Sequence, residues 1–511
     1  MEVPPWAIFS LACLAALPFL FKIFSRHRNH PPGPKPWPVI GNFHLLGPLP
    51  HHSLHKLSQK YGPIMQLSFG SVPVVVASSS EAAKLFLKTY DHVFANRPQT
   101  AAGRLTGNNH ASVIWAPYGP SLRQWRKILQ SELFSLKRIE AYEYIRMEEV
   151  RALMLRIYAS FGKPVPLRRQ LSCFTLSIMS RVVLGKKYFS DSKDVKSIIQ
   201  LEEFQEMIEE FILLNGVFYI GDWIPWLGNF LDFQGYVKRM KVVNEKFNRY
   251  FDYVFEDHMS KKEAEKERDF EGRNIVDFLL ELLDDPSLEV KLTYDKLKTF
   301  AQDLLIGGTE TTASTVEWAM SELLKNPHVM EKASEELDRV IGRERWVEEK
   351  DIPRLAYIDA IMKEAMRKRP VASTLGMHEA LEDCKVEGYD IKRGTILLVN
   401  LWSLGRDDRV WENPEEFRPE RFLGKAIDVR GQTFELLPFG SGRRMCPSYN
   451  FALRMIMCCL ANLLHGFKWE LPAEHNVEDM SLEETYGIST TRKFPLVGVP
   501  KPRLPFHLYQ Q

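Results

Sequence analysis

The sequence predicts a mainly α-helical fold with a minor β component. Eight segments have the length and charge patterning of helices, and the one over 298–324 is long and largely apolar. A short region, 64–77, contains three consecutive valines and is typical of a strand, and the tail 487–508 has strand and proline character. The other predicted helices span 123–134, 139–161, 201–214, 237–267, 328–341, 357–368 and 447–464.

The composition is compatible with a single large enzyme domain. The chain has 511 residues, of which 45% are hydrophobic, and this is ample for a substantial core. The formal net charge is only +2, so we expect no nucleic-acid partner. The six cysteines are irregularly spaced and include no C-x-x-C pair, which argues against a zinc or thioredoxin-like site and indicates a reducing compartment.

The first residues have the composition of a membrane anchor. Residues 6–24 are nearly all apolar, and this length is close to the roughly 20 residues that span a bilayer. Arg26 and Arg28 follow the apolar run and Glu2 precedes it, so the positive-inside rule places the rest of the chain in the cytosol. The alternative, a cleaved signal peptide, would carry its positive charge before the apolar run.

A basic, proline-rich segment follows the apolar run. Five prolines between positions 31 and 38 exclude a helix and favour a semi-rigid spacer. The sequence therefore predicts an anchor over 1–24, a hinge over 25–45 and a catalytic domain over 46–511.

The most specific motif of the chain, Phe-Gly-Ser-Gly-Arg-Arg-Met-Cys, runs from Phe439 to Cys446. Its two glycines allow tight turns, and the cysteine stands directly before an apolar helix, with Pro447 expected in the first turn. The helix N-terminus and the neighbouring Arg443 and Arg444 are expected to favour a thiolate. Cys446 is therefore a candidate iron ligand, whereas a cysteine without this motif would by default be structural.

With this motif the chain resembles the cytochrome P-450 family, and its plant microsomal branch in particular, over essentially its whole length. The resemblance implies a triangular helical body with small β-sheets, and it makes Cys446 the ligand of the iron of haem b. It also implies that Arg444 contacts a haem propionate and that Phe439 lies against the cofactor. Where the family usually has glycine two residues after the cysteine, this chain has Ser448.

The same resemblance implies a single-pass enzyme of the endoplasmic reticulum membrane with its catalytic domain in the cytosol. Its electrons would come from NADPH through NADPH–cytochrome P-450 reductase on the same membrane. Its substrates would be O2 and a small lipophilic molecule, and membrane lipid is the remaining expected partner.

Glu364 and Arg367 lie three residues apart on the predicted helix 357–368, so their side chains can pair. This spacing alone is common and most often marks a solvated surface pair. The later sequence Phe-Arg-Pro-Glu-Arg-Phe over 417–422 makes it specific, because the resemblance implies a buried charged network of Glu364, Arg367 and Arg421. We expect this network to be structural rather than catalytic.

Gly307 and Gly308 lie inside the long apolar helix. Each glycine inside a helix lowers the stability of that helix by about 1 kcal/mol relative to alanine, so two adjacent glycines indicate a specific structural or functional role. One alternative is a packing notch. The resemblance implies instead that the helix opens over the haem to admit oxygen and water, and that Glu310 and Thr311 are the catalytic acid–alcohol pair that supplies protons.

Two further contacts to the haem propionates are implied by the resemblance. The segment 118–127 is similar to the family segment that bears W-x-x-x-R, with Arg126 at the arginine position and Leu122 in place of the tryptophan. His378 falls where the family often has another propionate partner, and an ordinary loop histidine is the alternative.

Substrate contacts are expected in scattered, mostly apolar segments, which indicates a lipophilic substrate. The resemblance suggests a plant specialised metabolite, namely a phenylpropanoid or flavonoid, a terpenoid or an alkaloid precursor. Core packing is the alternative for each of these residues. The candidates are Gln302, Ile306, Val371, Leu375 and Ile488.

Three functions remain compatible with the sequence. The first is a reductase-fed monooxygenase that inserts one oxygen atom into its substrate. The second is a haem-thiolate enzyme that catalyses oxidative coupling, ring rearrangement, isomerisation or dehydration without net oxygen insertion. The third is a haem carrier or sensor without catalysis. Glu310 and Thr311 favour the first, because enzymes that do not activate oxygen often lack this pair.

Overall fold

The protein is mainly helical in the part that the computed structural model describes, which comprises residues 29–190, 198–228, 232–264 and 274–510. The predicted class of fold is therefore confirmed. The helices, in chain order, are α1 (Pro50–Tyr61), α2 (Ser80–Lys84), α3 (Ala101–Leu105), α4 (Pro120–Ile128), α5 (Leu136–Ala141), α6 (Glu143–Tyr158), α7 (Leu167–Leu184), α8 (Leu201–Gly216), α9 (Ile220–Trp223), α10 (Pro225–Gly228), α11 (Tyr236–Ala264), α12 (Ile275–Glu281), α13 (Tyr294–Lys325), α14 (Pro327–Val340), α15 (Ala356–Lys368), α16 (Leu401–Leu404) and α17 (Tyr449–Gly466).

The strands form small sheets at the side of the helical body. The strands are β1 (Ile64–Phe69), β2 (Val72–Ala77), β3 (Val165–Pro166), β4 (Phe189–Ser190), β5 (Ile199–Gln200), β6 (His378–Glu379), β7 (Cys384–Val386), β8 (Tyr389–Ile391), β9 (Ile396–Val399), β10 (Phe467–Glu470), β11 (Glu484–Thr485), β12 (Thr491–Arg492) and β13 (Val497–Pro502). The largest sheet has the order β1-β2-β9-β6, with β2 and β9 parallel and the other pairs antiparallel, and a second sheet has the order β10-β13-β3.

The predicted anchor over 1–24 lies outside the described residues. Among the helices that are described, none is both long enough and apolar enough to cross a membrane. The described part of the predicted hinge, residues 29–45, packs on the largest sheet. Here the backbone N–H of Gln66 donates to the carbonyl of Pro32 at 2.9 Å, and the buried Asn42 amide accepts from the N–H of Ser68 at 2.8 Å.

The long helix α13 is the centre of the body. It begins after Thr293, whose hydroxyl accepts from the N–H of Lys296, and it packs most extensively on α7. It also packs on α15 and α17, and the ring of Trp125 on α4 stacks on Phe300 with the centroids 4.0 Å apart. This central position places one face of α13 opposite the loop that precedes α17.

Several predicted elements differ from those observed. The strand-like region 64–77 is a hairpin of two strands, and the predicted helix 139–161 is divided between α5 and α6. The helix after the cysteine begins at Tyr449 with Ser448 as its N-cap, so Pro447 precedes the helix and does not lie in its first turn.

The predicted charged network is formed and completely buried. The carboxylate of Glu364 accepts two hydrogen bonds from Arg367, at 2.7 and 2.8 Å, and a third from Nε of Arg421 at 3.0 Å. It also accepts from the backbone N–H of Arg418 at 2.8 Å. Arg367 donates in addition to the carbonyls of Gly405 and Glu416. The network therefore fixes α15 to the segment around Pro419–Phe422.

We expect Arg367→Ala to lower the free energy of unfolding by about 3–5 kcal/mol, because it leaves the buried carboxylate of Glu364 without its main partner. Urea unfolding followed by circular dichroism measures the change. The matched control is Arg418→Ala, which removes an exposed ion pair with Glu412 and should lower the free energy by less than about 1 kcal/mol. Equal effects of the two substitutions would contradict the structural role.

Candidate functional site

A mostly apolar cavity of about 360 Å³ lies between α13 and the loop before α17. It brings together most of the residues that the sequence singles out, although they come from distant segments. Those that line it are Arg126, Ile306, Thr311, Val371, Leu375, Phe439, Arg444, Cys446 and Ile488. Glu310, His378 and Gln302 do not line it.

Cys446 is placed by a tightly turned loop. Gly440 and Gly442 have φ values of 69° and 70°, in the left-handed region that favours glycine. A Cβ on Gly442 would also lie only 2.5 Å from an oxygen of Asp91. The N–H of Cys446 donates to the carbonyl of Phe439 at 2.9 Å, which closes the loop and leaves the sulfur open to the cavity.

The electrostatic surroundings of Cys446 differ from the prediction. Burial of the Cys446 thiol raises its pKa. Ser448, through hydrogen bonding, and the charge of Arg126 act in the opposite direction and offset part of this increase. Arg443 instead forms an ion pair with Asp91 at 2.6 Å, and Arg444 donates to backbone carbonyls. The arginine whose charge lowers the pKa of Cys446 is thus Arg126, which lies outside the motif.

Three arginines line the cavity without a carboxylate partner: Arg97 is buried, and Arg126 and Arg444 are half-buried. Arg97 donates to the carbonyls of Ile114, Gly376 and Met377, and Arg444 donates to those of Ala95 and Ala116. The Nη1 atom of Arg444 has no hydrogen-bond partner, and no carboxylate in the described part of the chain bonds to Arg97, Arg126 or Arg444.

The arginine cluster is electrostatically incomplete in the protein alone. Burial and the nearby charges of Arg97 and Arg126 lower the pKa of Arg444 to about 8, and burial lowers that of Arg97 to about 10. A buried positive charge needs a negative partner. The cluster therefore fits a ligand with carboxylates at one edge, and the two propionates of haem b meet this requirement beside the open sulfur of Cys446.

His378 is not part of this cluster. Its ring is buried and does not line the cavity, and Nδ1 is 2.8 Å from the carbonyl oxygen of Phe94. Burial and then the charge of Arg97 lower its pKa to about 3, so the imidazole is neutral. Arg97, which the sequence analysis did not single out, lines the cavity instead.

The two glycines of α13 serve different purposes. A Cβ on Gly308 would lie 2.5 Å from the sulfur of Met179, so this glycine permits close packing of α13 on α7. A Cβ on Gly307 would meet nothing within 4 Å, so this glycine leaves free space beside the cavity. The helix is continuous across both residues, and the expected local opening is therefore absent from α13.

Glu310 and Thr311 face different spaces. Thr311 lines the apolar cavity and its hydroxyl donates to the carbonyl of Gly307 at 2.7 Å. Glu310 lines a second, polar chamber of about 420 Å³, and its carboxyl accepts from the hydroxyl of Ser314 at 2.9 Å. Ile212 and Ser489 line both spaces and therefore form part of the wall between them. Burial raises the pKa of Glu310 to about 7.

Asp303 is a cavity residue that the sequence analysis missed. It is one position from the predicted Gln302, whose amide points to the carbonyl of Thr106 instead. The carboxyl of Asp303 accepts from the hydroxyl of Ser112 at 2.8 Å and from the N–H of Val113 at 2.7 Å. Burial raises its pKa to about 7. The sequence feature that could have identified Asp303 is its position as an acidic residue within an otherwise apolar helical stretch.

Comparison with known proteins agrees with this site. The sequence model of the family described as cytochrome P-450 matches residues 31–497. A trimethyltridecatetraene synthase of Zea mays is 43% identical over 507 residues, which cover 95% of this chain and 90% of the relative. A flavonoid 3'-monooxygenase of Petunia hybrida is 39% identical over 519 residues, and this alignment covers 100% of this chain and 100% of the relative.

The fold is also similar to that of a solved structure. A zebrafish cytochrome P-450 determined with abiraterone superposes with a TM-score of 0.75 at 23% sequence identity. The superposition covers 89% of this chain and 100% of the zebrafish chain. At this identity the similarity concerns the fold alone.

We expect the stability of the protein to fall as the pH rises from about 4.5 to about 7, in part because of Glu310. Its folded-state pKa, about 7, exceeds the ordinary value of 4.5, so the folded protein binds the proton more tightly than the unfolded chain does. Above pH 7 the penalty is on the order of 3 kcal/mol.

Glu310→Gln should remove this part of the pH dependence, measured as the free energy of unfolding between pH 5 and pH 8. The control is Glu206→Gln, which changes an exposed carboxylate at the rim of the same chamber and should behave like the wild type. If Glu310→Gln kept the wild-type slope, the elevated pKa would be wrong.

Proposed function

The chain belongs to the cytochrome P-450 family, in its plant A-type branch, and we propose that it oxidises a lipophilic plant specialised metabolite with O2 and electrons from NADPH. It is a monooxygenase of this family, whose cofactor is haem b. The observation that carries the proposal is the sulfur of Cys446, which opens into an apolar cavity beside three arginines that lack carboxylate partners.

In this proposal the loop 438–448 and the arginine cluster hold the cofactor. Cys446 would supply the thiolate that binds the iron, and Phe439, which lines the same cavity, would pack against the cofactor. Arg97, Arg126 and Arg444 would bind the propionates through charge-assisted hydrogen bonds, and the propionates would balance the positive charge of this cluster. When bound, haem b supplies the iron chemistry that activates O2.

Glu310 and Thr311 divide the supply of protons between them. A carboxyl with a pKa of about 7 exchanges protons readily near neutral pH. Glu310 lines the polar chamber, and it can take up protons from there. The hydroxyl of Thr311, inside the cavity, presents the proton to the reacting oxygen. Because the two side chains face different spaces, the transfer requires rotation of the Glu310 side chain or a bridging water.

The cavity favours a lipophilic substrate with one polar group. Ile306, Val371, Leu375 and Ile488 offer apolar surface, while Asp303 offers an acceptor for a hydroxyl or amine donor. The names of similar proteins include a trimethyltridecatetraene synthase, a dimethylnonatriene synthase and a flavonoid 3'-monooxygenase, so terpenoids and flavonoids both belong in a first screen. Electron supply by NADPH–cytochrome P-450 reductase and attachment to the endoplasmic reticulum membrane complete the proposal.

We expect Cys446→Ser to abolish the thiolate-type absorption band of the reduced carbon monoxide complex, because the serine hydroxyl cannot supply a thiolate. Difference spectroscopy of the purified, haem-loaded protein measures this. The control is Cys384→Ser, which changes a half-buried cysteine in β7 and should leave the band intact. A normal band in Cys446→Ser would refute the ligand assignment.

Thr311→Ala should raise the yield of peroxide per NADPH several-fold and lower the yield of product correspondingly, because the cavity loses its proton-presenting hydroxyl. The control is Thr309→Ala, since the Thr309 hydroxyl makes the same kind of bond to the helix, to the carbonyl of Leu305, but does not line the cavity. The proton role is wrong if both variants couple NADPH to product as the wild type does.

Incubation with reductase, NADPH and a panel of flavonoids, terpenoids and alkaloid precursors tests the reaction itself. We expect a product heavier than its substrate by one oxygen atom, with the label retained when the gas is 18O2. A product that has lost two hydrogens or has rearranged without the label would instead support coupling or isomerisation.

A further inference from the structure

Ser448 occupies the N-cap of α17 but does not cap the helix. Serine at this position commonly accepts a hydrogen bond from the N–H two or three residues later. Ser448 makes no such bond, and its φ and ψ of −104° and 17° differ from the extended conformation of the capping Thr293, −124° and 156°. The hydroxyl of Ser448 is therefore available for another partner.

That partner is the sulfur of Cys446. The Oγ atom of Ser448 lies 3.6 Å from Sγ, within hydrogen-bond distance for sulfur. The hydroxyl and the backbone N–H of Ser448 both act to lower the pKa of Cys446, against the larger effect of burial. Because a thiolate carries no proton, the hydroxyl must be the donor when Cys446 is ionised.

We propose that the hydroxyl of Ser448 donates a hydrogen bond to the sulfur of Cys446 and thereby raises the reduction potential of the iron that this sulfur binds. The inference rests on the proposed function, in which Cys446 is the iron ligand. A donor at the sulfur withdraws electron density from it, and the reduced iron, which carries one positive charge fewer, is stabilised more than the oxidised iron.

The bond has two opposite effects on the reaction. A higher potential makes the transfer of the first electron from a flavoprotein more favourable. A less electron-rich sulfur donates less to the iron, and this weakens its assistance to the cleavage of the O–O bond. Ser448 thus acts through Cys446, without a contact to the substrate being required.

The test is a spectroelectrochemical titration of the haem-loaded, substrate-free protein and its variants. Ser448→Ala removes the hydroxyl and keeps the Cβ, while Ser448→Gly removes both. We expect the midpoint potential to fall in both variants by an amount equivalent to a tenfold change in the ratio of ferrous to ferric protein, about 59 mV. The iron–sulfur stretching frequency should rise in both, because the bond strengthens.

An unchanged potential in Ser448→Ala overturns the inference, and a fall in Ser448→Gly alone would do so as well, since it would assign the effect to the backbone. Ser441→Ala serves as the control, because its hydroxyl lies in the same loop and donates to the carbonyl of Gly431. An equal fall of the midpoint potential in Ser441→Ala would assign the effect to a general disturbance of the loop and would also overturn the inference. The carbon monoxide spectrum of the wild type tests the ligand separately, so failure of the proposed function is distinguishable.

Discussion

The unbalanced charge of three arginines in the cavity wall is the constraint on which the rest of the site depends. Arg97, Arg126 and Arg444 are held in place by backbone carbonyls or by packing, without a carboxylate among their hydrogen-bond partners in the described residues. The folded chain therefore carries an electrostatic penalty that a bound dianion removes. Cofactor binding and folding are linked in this way, because a ligand that binds only the folded state stabilises it.

Local patterns in the sequence were sufficient to predict much of the fold. The long helix and the cysteine loop depend on contiguous motifs, and each forms in the structure. The Glu364 network joins two motifs that are distant in the chain, and the family resemblance implied it. The helix α7 was not singled out, although it is the main neighbour of α13. It is buried on nearly every side, so it lacks the polar face that gives a surface helix its period.

The remaining features of the site depend on contacts between distant segments. The family resemblance pointed to His378, but the folded chain buries that ring against the carbonyl of Phe94 and outside the cavity lining. It pointed to Gln302, but one residue corresponds to about 100° around a helix, and this rotation places Asp303 in the cavity instead. Spacing along the chain predicts which turn of a helix reaches a site. Which residue of that turn faces the site depends on the orientation of the helix about its axis, and tertiary packing determines this orientation.

The contact between Gly308 and Met179 links the size of the cavity to the packing of the core. Met179 lines the cavity from α7, and only the missing side chain at 308 allows it to approach α13 so closely. A larger residue at either position would change the separation of two central helices, and with it the room beside Thr311. Substrate size in diverging relatives can therefore evolve through helix packing, without a change in the residues that perform the chemistry.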